Sequence, residues 1–128
     1  LISSVEEFNS PSVVKVVFDY KNFALYFSRS PIPFVRDAVD ETQMLENANI
    51  YKHIGLYVYR KEYLLKFTQL APTDLEQWEK LEQLRMLENG FKIKIVETEY
   101  DSFSVDTPED LEKARKIYSK LKKIELAK

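Results

Sequence analysis

Apolar residues recur with a period of two in several stretches of this chain. Val13-Val14-Lys15-Val16-Val17-Phe18 and Phe23-Ala24-Leu25-Tyr26-Phe27-Ser28 are rich in β-branched and aromatic residues and read as strands. Asp19-Tyr20-Lys21-Asn22 lies between them and has the residue types of a turn, so the pair is expected as a hairpin. The clearest alternation runs from Ile50 to Tyr59. One face carries Ile50, Lys52, Ile54, Leu56 and Val58; the other carries Tyr51, His53, Gly55, Tyr57 and Tyr59. Phe91 to Thr98 reads as a further strand.

Elsewhere the spacing is helical. Lys61 to Leu70 predicts a short helix that stops near Pro72. Thr73-Asp74-Leu75-Glu76 fits a capping box, and the helix it opens is expected to run to about Glu88, where Asn89-Gly90 is a stop signal. Thr107-Pro108-Glu109-Asp110 opens a last helix. Leu111, Ala114, Ile117, Tyr118 and Leu121 repeat along it and are expected to form a buried stripe. Ser30-Pro31-Ile32-Pro33 suits neither a helix interior nor a central strand, because each proline lacks an N–H. Residues 34–49 read as a polar excursion with a short helix around Thr42–Glu46. Residues 1–12, polar and broken by Pro11, read as a linker or frayed start. Residues 13–123 then form the folded part and 124–128 a solvated tail. The order of elements gives α/β, or the second half of a larger α/β domain.

Composition narrows the function classes. The chain has 128 residues, 45% of them hydrophobic, which is enough for one domain with a real core. Nineteen Lys+Arg against 21 Asp+Glu leave a net charge of −2, so neither nucleic acid nor an acidic membrane is expected as partner. Cysteine is absent, which removes disulfides and thiolate metal sites and fits a reducing compartment. No apolar run approaches the roughly 20 residues of a membrane span, and no signal peptide is visible; the expected location is cytoplasmic. With only 2 glycines there is no glycine-rich phosphate loop. If a nucleotide is handled, its triphosphate is gripped elsewhere. The start at Leu1 rather than Met favours a fragment.

A few polar positions break the pattern. On a continuous helix after Thr73, Glu82 falls inside the apolar arc of Leu75, Trp78, Leu81 and Met86. A carboxylate there pairs with a buried arginine, caps a neighbouring element or faces a polar ligand. His53 shares a strand face with Tyr57 across Gly55; it is either a satisfied core histidine or one wall of a pocket for a polyhydroxylated ligand. Asp106 before Thr107 is either a turn residue or a hard-oxygen ligand for Mg²⁺. Arg29 and Arg36 flank the proline segment, as surface residues or as clamps for a carboxylate or phosphate. No Ser-His-Asp or Cys-His set, zinc spacing or nucleotide fingerprint accompanies them.

Together, Ala24-Leu25-Tyr26-Phe27-Ser28-Arg29-Ser30-Pro31-Ile32-Pro33, Lys52-His53-Ile54-Gly55-Leu56-Tyr57, Leu81-Glu82-Gln83-Leu84-Arg85 with Glu88-Asn89-Gly90, and Val105-Asp106-Thr107-Pro108-Glu109-Asp110-Leu111 resemble the 3-deoxy-manno-octulosonate (Kdo) cytidylyltransferases, from about Val13 to the last helix. The resemblance implies the C-terminal half of a Rossmann-like nucleotide-diphospho-sugar transferase fold, a mixed sheet flanked by helices, in a homodimer. It implies that the anomeric hydroxyl of Kdo attacks the α-phosphorus of CTP with Mg²⁺, giving CMP-Kdo and pyrophosphate for lipopolysaccharide biosynthesis. It makes Arg29, Arg36, His53, Tyr57, Glu82 and Gln83 candidate sugar-binding residues. Asp106 becomes the candidate catalytic residue and Mg²⁺ ligand. A glycine usual before the Val-Asp-Thr stretch is Ser104 here. The family's N-terminal triphosphate loop and its other metal-binding Asp have no counterpart in these residues, so the isolated chain is expected to be inactive. A non-catalytic sugar-acid-binding or dimerisation module, or one chain of a split enzyme, stays open beside this reading.

Overall fold

The computed structural model describes residues 1–100, 105 and 108–125. They divide into two units, Leu1–Glu97 and Thr98–Lys128. In chain order the first holds α1 (Val5–Asn9), β1 (Lys15–Phe18), β2 (Ala24–Ser28), α2 (Glu41–Asn47), β3 (Tyr51–Lys52), α3 (Lys61–Phe67), α4 (Asp74–Glu79) and α5 (Gln83–Glu88); the second holds α6 (Pro108–Glu125). The class is α/β. The sheet of the described residues is entirely antiparallel rather than mixed, in the order β2-β1-β3.

The expected hairpin is present, with Val16 opposite Phe27 and Val17 opposite Tyr26. Its turn is tied by Asp19, whose Oδ1 accepts the N–H groups of Lys21 and Phe23 at 2.8 Å each. Asn22 takes the left-handed conformation, φ 58°, that asparagine tolerates better than most residues. Val16, Ala24 and Phe27 pack with Leu81 and Leu84, which places α5 against the hairpin.

Other elements differ from the pattern-based expectation. Residues 1–12, expected as a linker, carry α1. Ser4 caps it by accepting the Glu7 N–H, and Phe8 joins Ile2, Met44 and Ile50 in a second buried cluster. The strand expected over Ile50–Tyr59 is paired only at Tyr51–Lys52. Gly55 at φ 80° turns the chain out of the ladder. The stretch from Phe91 to Thr98 is not a strand either; it touches the hairpin through one antiparallel bridge, Phe23 to Lys94, made by the Ala24 N–H on the Ile93 carbonyl at 2.9 Å and the Ile95 N–H on the Asn22 carbonyl at 2.7 Å.

The single helix expected from Thr73 to about Glu88 is two. The first begins where the capping pattern puts it, with Glu76 Oε2 accepting the Thr73 N–H at 3.2 Å. It ends at Lys80, which is left-handed at φ 54°. Arg29 reaches across and donates to the last carbonyls of α4, from Nε to Glu79 O at 2.6 Å and from Nη2 to Lys80 O at 3.4 Å. A cation on those unpaired carbonyls terminates the helix. The break invalidates an arc drawn at 100° per residue. Trp78 is 74% exposed, and Glu82 is an exposed residue at the start of α5 rather than part of a buried arc.

In the second unit Pro108 opens α6, as its fixed φ favours. The helix continues to Glu125, past the expected start of the tail. Leu111, Ile117 and Tyr118 are exposed rather than buried: an apolar stripe is covered only where another layer lies on it, and the described residues of 98–128 supply none. Asp106, Thr107 and Ser104 lie outside the described residues.

Candidate functional site

The segment after β3 leaves the sheet but keeps its two-sided character. The His53 N–H still reaches the Val14 carbonyl at 2.8 Å. Two residues on, the Gly55 N–H donates to His53 Nε2 at 3.2 Å. That bond uses Nε2 as an acceptor, and burial lowers the imidazole's pKa from the ordinary 6.5, which favours the neutral form. The rings then form a row. Phe27 meets His53 edge-on at 5.0 Å between centroids. His53 lies 5.2 Å from Tyr57, Tyr57 5.9 Å from Tyr59, and Tyr59 stacks on Phe67 of α3 at 6.3 Å. The opposite side carries Leu56 and Val58, which are 83% and 97% exposed.

Tyr57 matters most chemically. Its hydroxyl is buried with no hydrogen-bond partner among the described residues. Burial raises the phenol's pKa, and the neighbouring Tyr59 and the charge of Glu82 raise it further, so the hydroxyl stays protonated as a donor. Glu82 also raises the pKa of Tyr59, after burial. Its carboxylate is therefore within electrostatic reach of both phenols, and the start of α5 lies near the aromatic row.

Gln83, the next residue, is 7% exposed and its Nε2 has no partner among the described residues. Buried side-chain amides are normally satisfied, because an unpaired one costs about 1–3 kcal/mol. Two orphaned polar atoms, a phenol oxygen and an amide nitrogen, thus occur at two of the sugar-site candidates. Between them, His53, Tyr57, Glu82 and Gln83 offer donors and acceptors in the mixture that vicinal hydroxyl groups require.

The arginines differ. Arg29 is half-buried, and its fork is largely spent on main chain: besides the α4 carbonyls, Nη1 donates to Pro11 O at 2.9 Å. Arg36 is exposed and makes no hydrogen bond or ion pair among the described residues.

Two polar groups near Arg29 escaped sequence reasoning. Glu79 collects the Ser28 hydroxyl at 2.7 Å, the Tyr26 hydroxyl at 3.4 Å and the Arg29 N–H at 2.8 Å. Burial alone would raise its pKa; these hydrogen bonds and the Arg29 charge outweigh it and lower the value. Lys15 is fully buried in the central strand, its Nζ on the carbonyls of Ser10, Val13 and Arg29 at 3.0, 2.7 and 2.5 Å. A lysine inside a run of valines was the available signal for it. Glu79 had none, since its partners lie some fifty residues away.

Among the described residues no group of three or more His, Cys, Asp or Glu could hold a metal ion, and Asp106 is not among them. No helix of the described residues is long and apolar enough to cross a membrane.

Comparison with known proteins adds the following. A family model described as cytidylyltransferase matches residues 1–95. The 3-deoxy-manno-octulosonate cytidylyltransferase of Geotalea uraniireducens (strain Rf4) is 55% identical over 126 residues, which are 95% of this chain and 49% of that protein. The protein of the same name from Geobacter metallireducens is 56% identical over 116 residues, covering 88% of this chain and 46% of its own length. Among solved structures, CMP:2-keto-3-deoxy-manno-octonic acid synthetase complexed with CTP superposes with a TM-score of 0.80 at 42% identity, over 93% of this chain and 46% of that one. The chain thus spans about half the length of the curated relatives it matches.

Proposed function

The chain belongs to the cytidylyltransferase family, and from that membership we propose that these residues form the sugar-acid side of an enzyme that couples CTP with Kdo. The products are CMP-Kdo, for lipopolysaccharide biosynthesis, and pyrophosphate. The carrying observation is a pair of buried polar atoms without partners among the described residues, the Tyr57 hydroxyl and Gln83 Nε2. A polyol that pairs with both removes their desolvation penalty, and a sugar lacking the matching hydroxyl leaves it in place, which gives selectivity.

In this reading the Tyr57 phenol and the Gln83 amide donate to sugar hydroxyls, the Glu82 carboxylate accepts hydroxyl protons, and neutral His53, whose Nε2 already accepts the Gly55 N–H, donates through Nδ1–H to a hydroxyl oxygen. Arg36 meets the sugar carboxylate with an uncommitted fork. Arg29 contributes only the N–H groups its carbonyl contacts leave over. Asp106 would supply one carboxylate to Mg²⁺, and the metal would neutralise charge developing on the phosphates. No described residue completes that metal site, and the triphosphate is gripped by groups outside these residues. The isolated chain is accordingly inactive. The exposed Leu56 and Val58 are apolar surface of the kind a second subunit covers, which supports a homodimer. The cytoplasm, where CTP is supplied, is the compartment this reading assigns.

The test is a pair of variants in the complete enzyme. Glu82→Ala and His53→Ala raise the KM for Kdo more than the KM for CTP. An equal loss toward both substrates removes these residues from the sugar site.

A further inference from the structure

Arg85 lies two residues beyond Gln83, on the same short helix. Its guanidinium is held on two sides. One edge meets the Glu76 carboxylate as a fork, Nε to Oε2 at 2.7 Å and Nη2 to Oε1. Its central carbon lies over the Phe67 ring, 4.8 Å from the centroid. A further N–H points to the Leu70 carbonyl at 3.4 Å. One cation therefore joins α3, α4 and α5.

Each contact leads to a wall of the sugar site. Through its own backbone Arg85 fixes the turn of α5 that carries Glu82 and Gln83, and the Glu76 fork locks that turn against α4 across the left-handed break at Lys80. Through Phe67 it supports the stack Phe67–Tyr59–Tyr57, at the far end of which stands the unpartnered hydroxyl. The two orphaned atoms sit on elements that share no strand or helix, 53–59 and α5, so their spacing needs such a tie. A planar fork that also stacks is what arginine offers and lysine does not.

We propose that Arg85 is a positioning residue for the sugar acid, setting the distance between Tyr57 and Gln83 by bridging α5 to the Phe67–Tyr59 stack. The inference rests on the sugar-site reading above. Arg85 itself touches no substrate in it.

The experiment uses the complete enzyme with Arg85→Lys, Phe67→Leu and the double variant, measuring KM for Kdo, KM for CTP, kcat and thermal unfolding. Arg85→Lys keeps the charge but loses the fork and the stacked face. It raises the KM for Kdo roughly tenfold, inside the ~10²-fold that a 1 Å misplacement of a substrate can cost, while the KM for CTP stays within about twofold. Phe67→Leu shows the same split several-fold. The double variant is no worse for Kdo than Arg85→Lys alone, because both changes cut one path. A merely structural role gives a fall in stability with both KM values moving together, and that result overturns the proposal, as does an unchanged KM for Kdo. An additive double variant also overturns it. If Arg85→Lys does not fold, the split in Phe67→Leu decides alone. Wild-type pyrophosphate release that requires Kdo upholds the functional reading whatever the variants do, so the two ideas fail separately.

Discussion

Tyr57→Phe deletes one oxygen and leaves the ring contacts at 5.2 Å to His53 and 5.9 Å to Tyr59 in place. In the ligand-free protein that oxygen is buried without a partner among the described residues. An unsatisfied buried hydroxyl costs about 1–3 kcal/mol, and the vacancy left by one oxygen returns only part of that. The variant is therefore expected to be more stable than wild type by about 1 kcal/mol without ligand. In a protein of about 150–250 residues that corresponds to a Tm increase of roughly 2–4 °C. With Kdo the sign reverses. The sugar loses a net hydrogen bond worth about 0.5–1.5 kcal/mol, so its KM rises roughly two- to tenfold while the KM for CTP does not move. Thermal unfolding with and without Kdo, together with steady-state kinetics, measures both halves. A variant less stable than wild type without ligand refutes the claim that the hydroxyl waits unpaired. An unchanged KM for Kdo refutes its assignment to the sugar.

His53 carries a pH signature. Its folded pKa lies below the unfolded 6.5, so between those values the unfolded chain binds a proton that the folded imidazole does not. The stability it contributes is present above about pH 6.5 and is lost as pH falls through the folded value; the stability gap between wild type and His53→Gln should narrow over that window in pH-dependent denaturant melts. A parallel pair of curves contradicts the assignment. Gly55→Ala forces a Cβ onto φ 80°, with His53 Cε1 only 3.9 Å away in ordinary contact, so the cost is conformational, about 1–2 kcal/mol, with a weaker grip on Kdo because the turn aims Tyr57. Equal stability to wild type in chemical denaturation speaks against that account.

The hairpin was legible because its signals are local: runs of β-branched and aromatic residues around a turn that Asp19 closes with its own neighbours. The helix starting at Thr73 was legible for the same reason. Its break at Lys80 was not, because Arg29, fifty residues earlier, supplies the groups that end it. The fate of Ile50–Tyr59 illustrates a second limit. Period two reports which side chains share a face, and His53, Tyr57 and Tyr59 do line up; it does not report whether a neighbouring strand exists to pair with, and beyond Lys52 none does among the described residues. Glu82 was singled out from an arc that the broken helix does not have, yet its charge does lie near the Tyr57 and Tyr59 phenols. The role of Gln83 came from resemblance alone, whereas Tyr57 already shared the His53 face in the strand pattern; that the two atoms lack partners among the described residues is a property only three-dimensional packing reveals.

Pyrophosphate release by the complete protein that carries these residues, assayed with CTP and Mg²⁺ in the presence and absence of Kdo, bears most directly on the central claim. The account predicts release that requires Kdo, and none from these 128 residues by themselves. Release that is indifferent to Kdo, or turnover by the 128 residues alone, contradicts it.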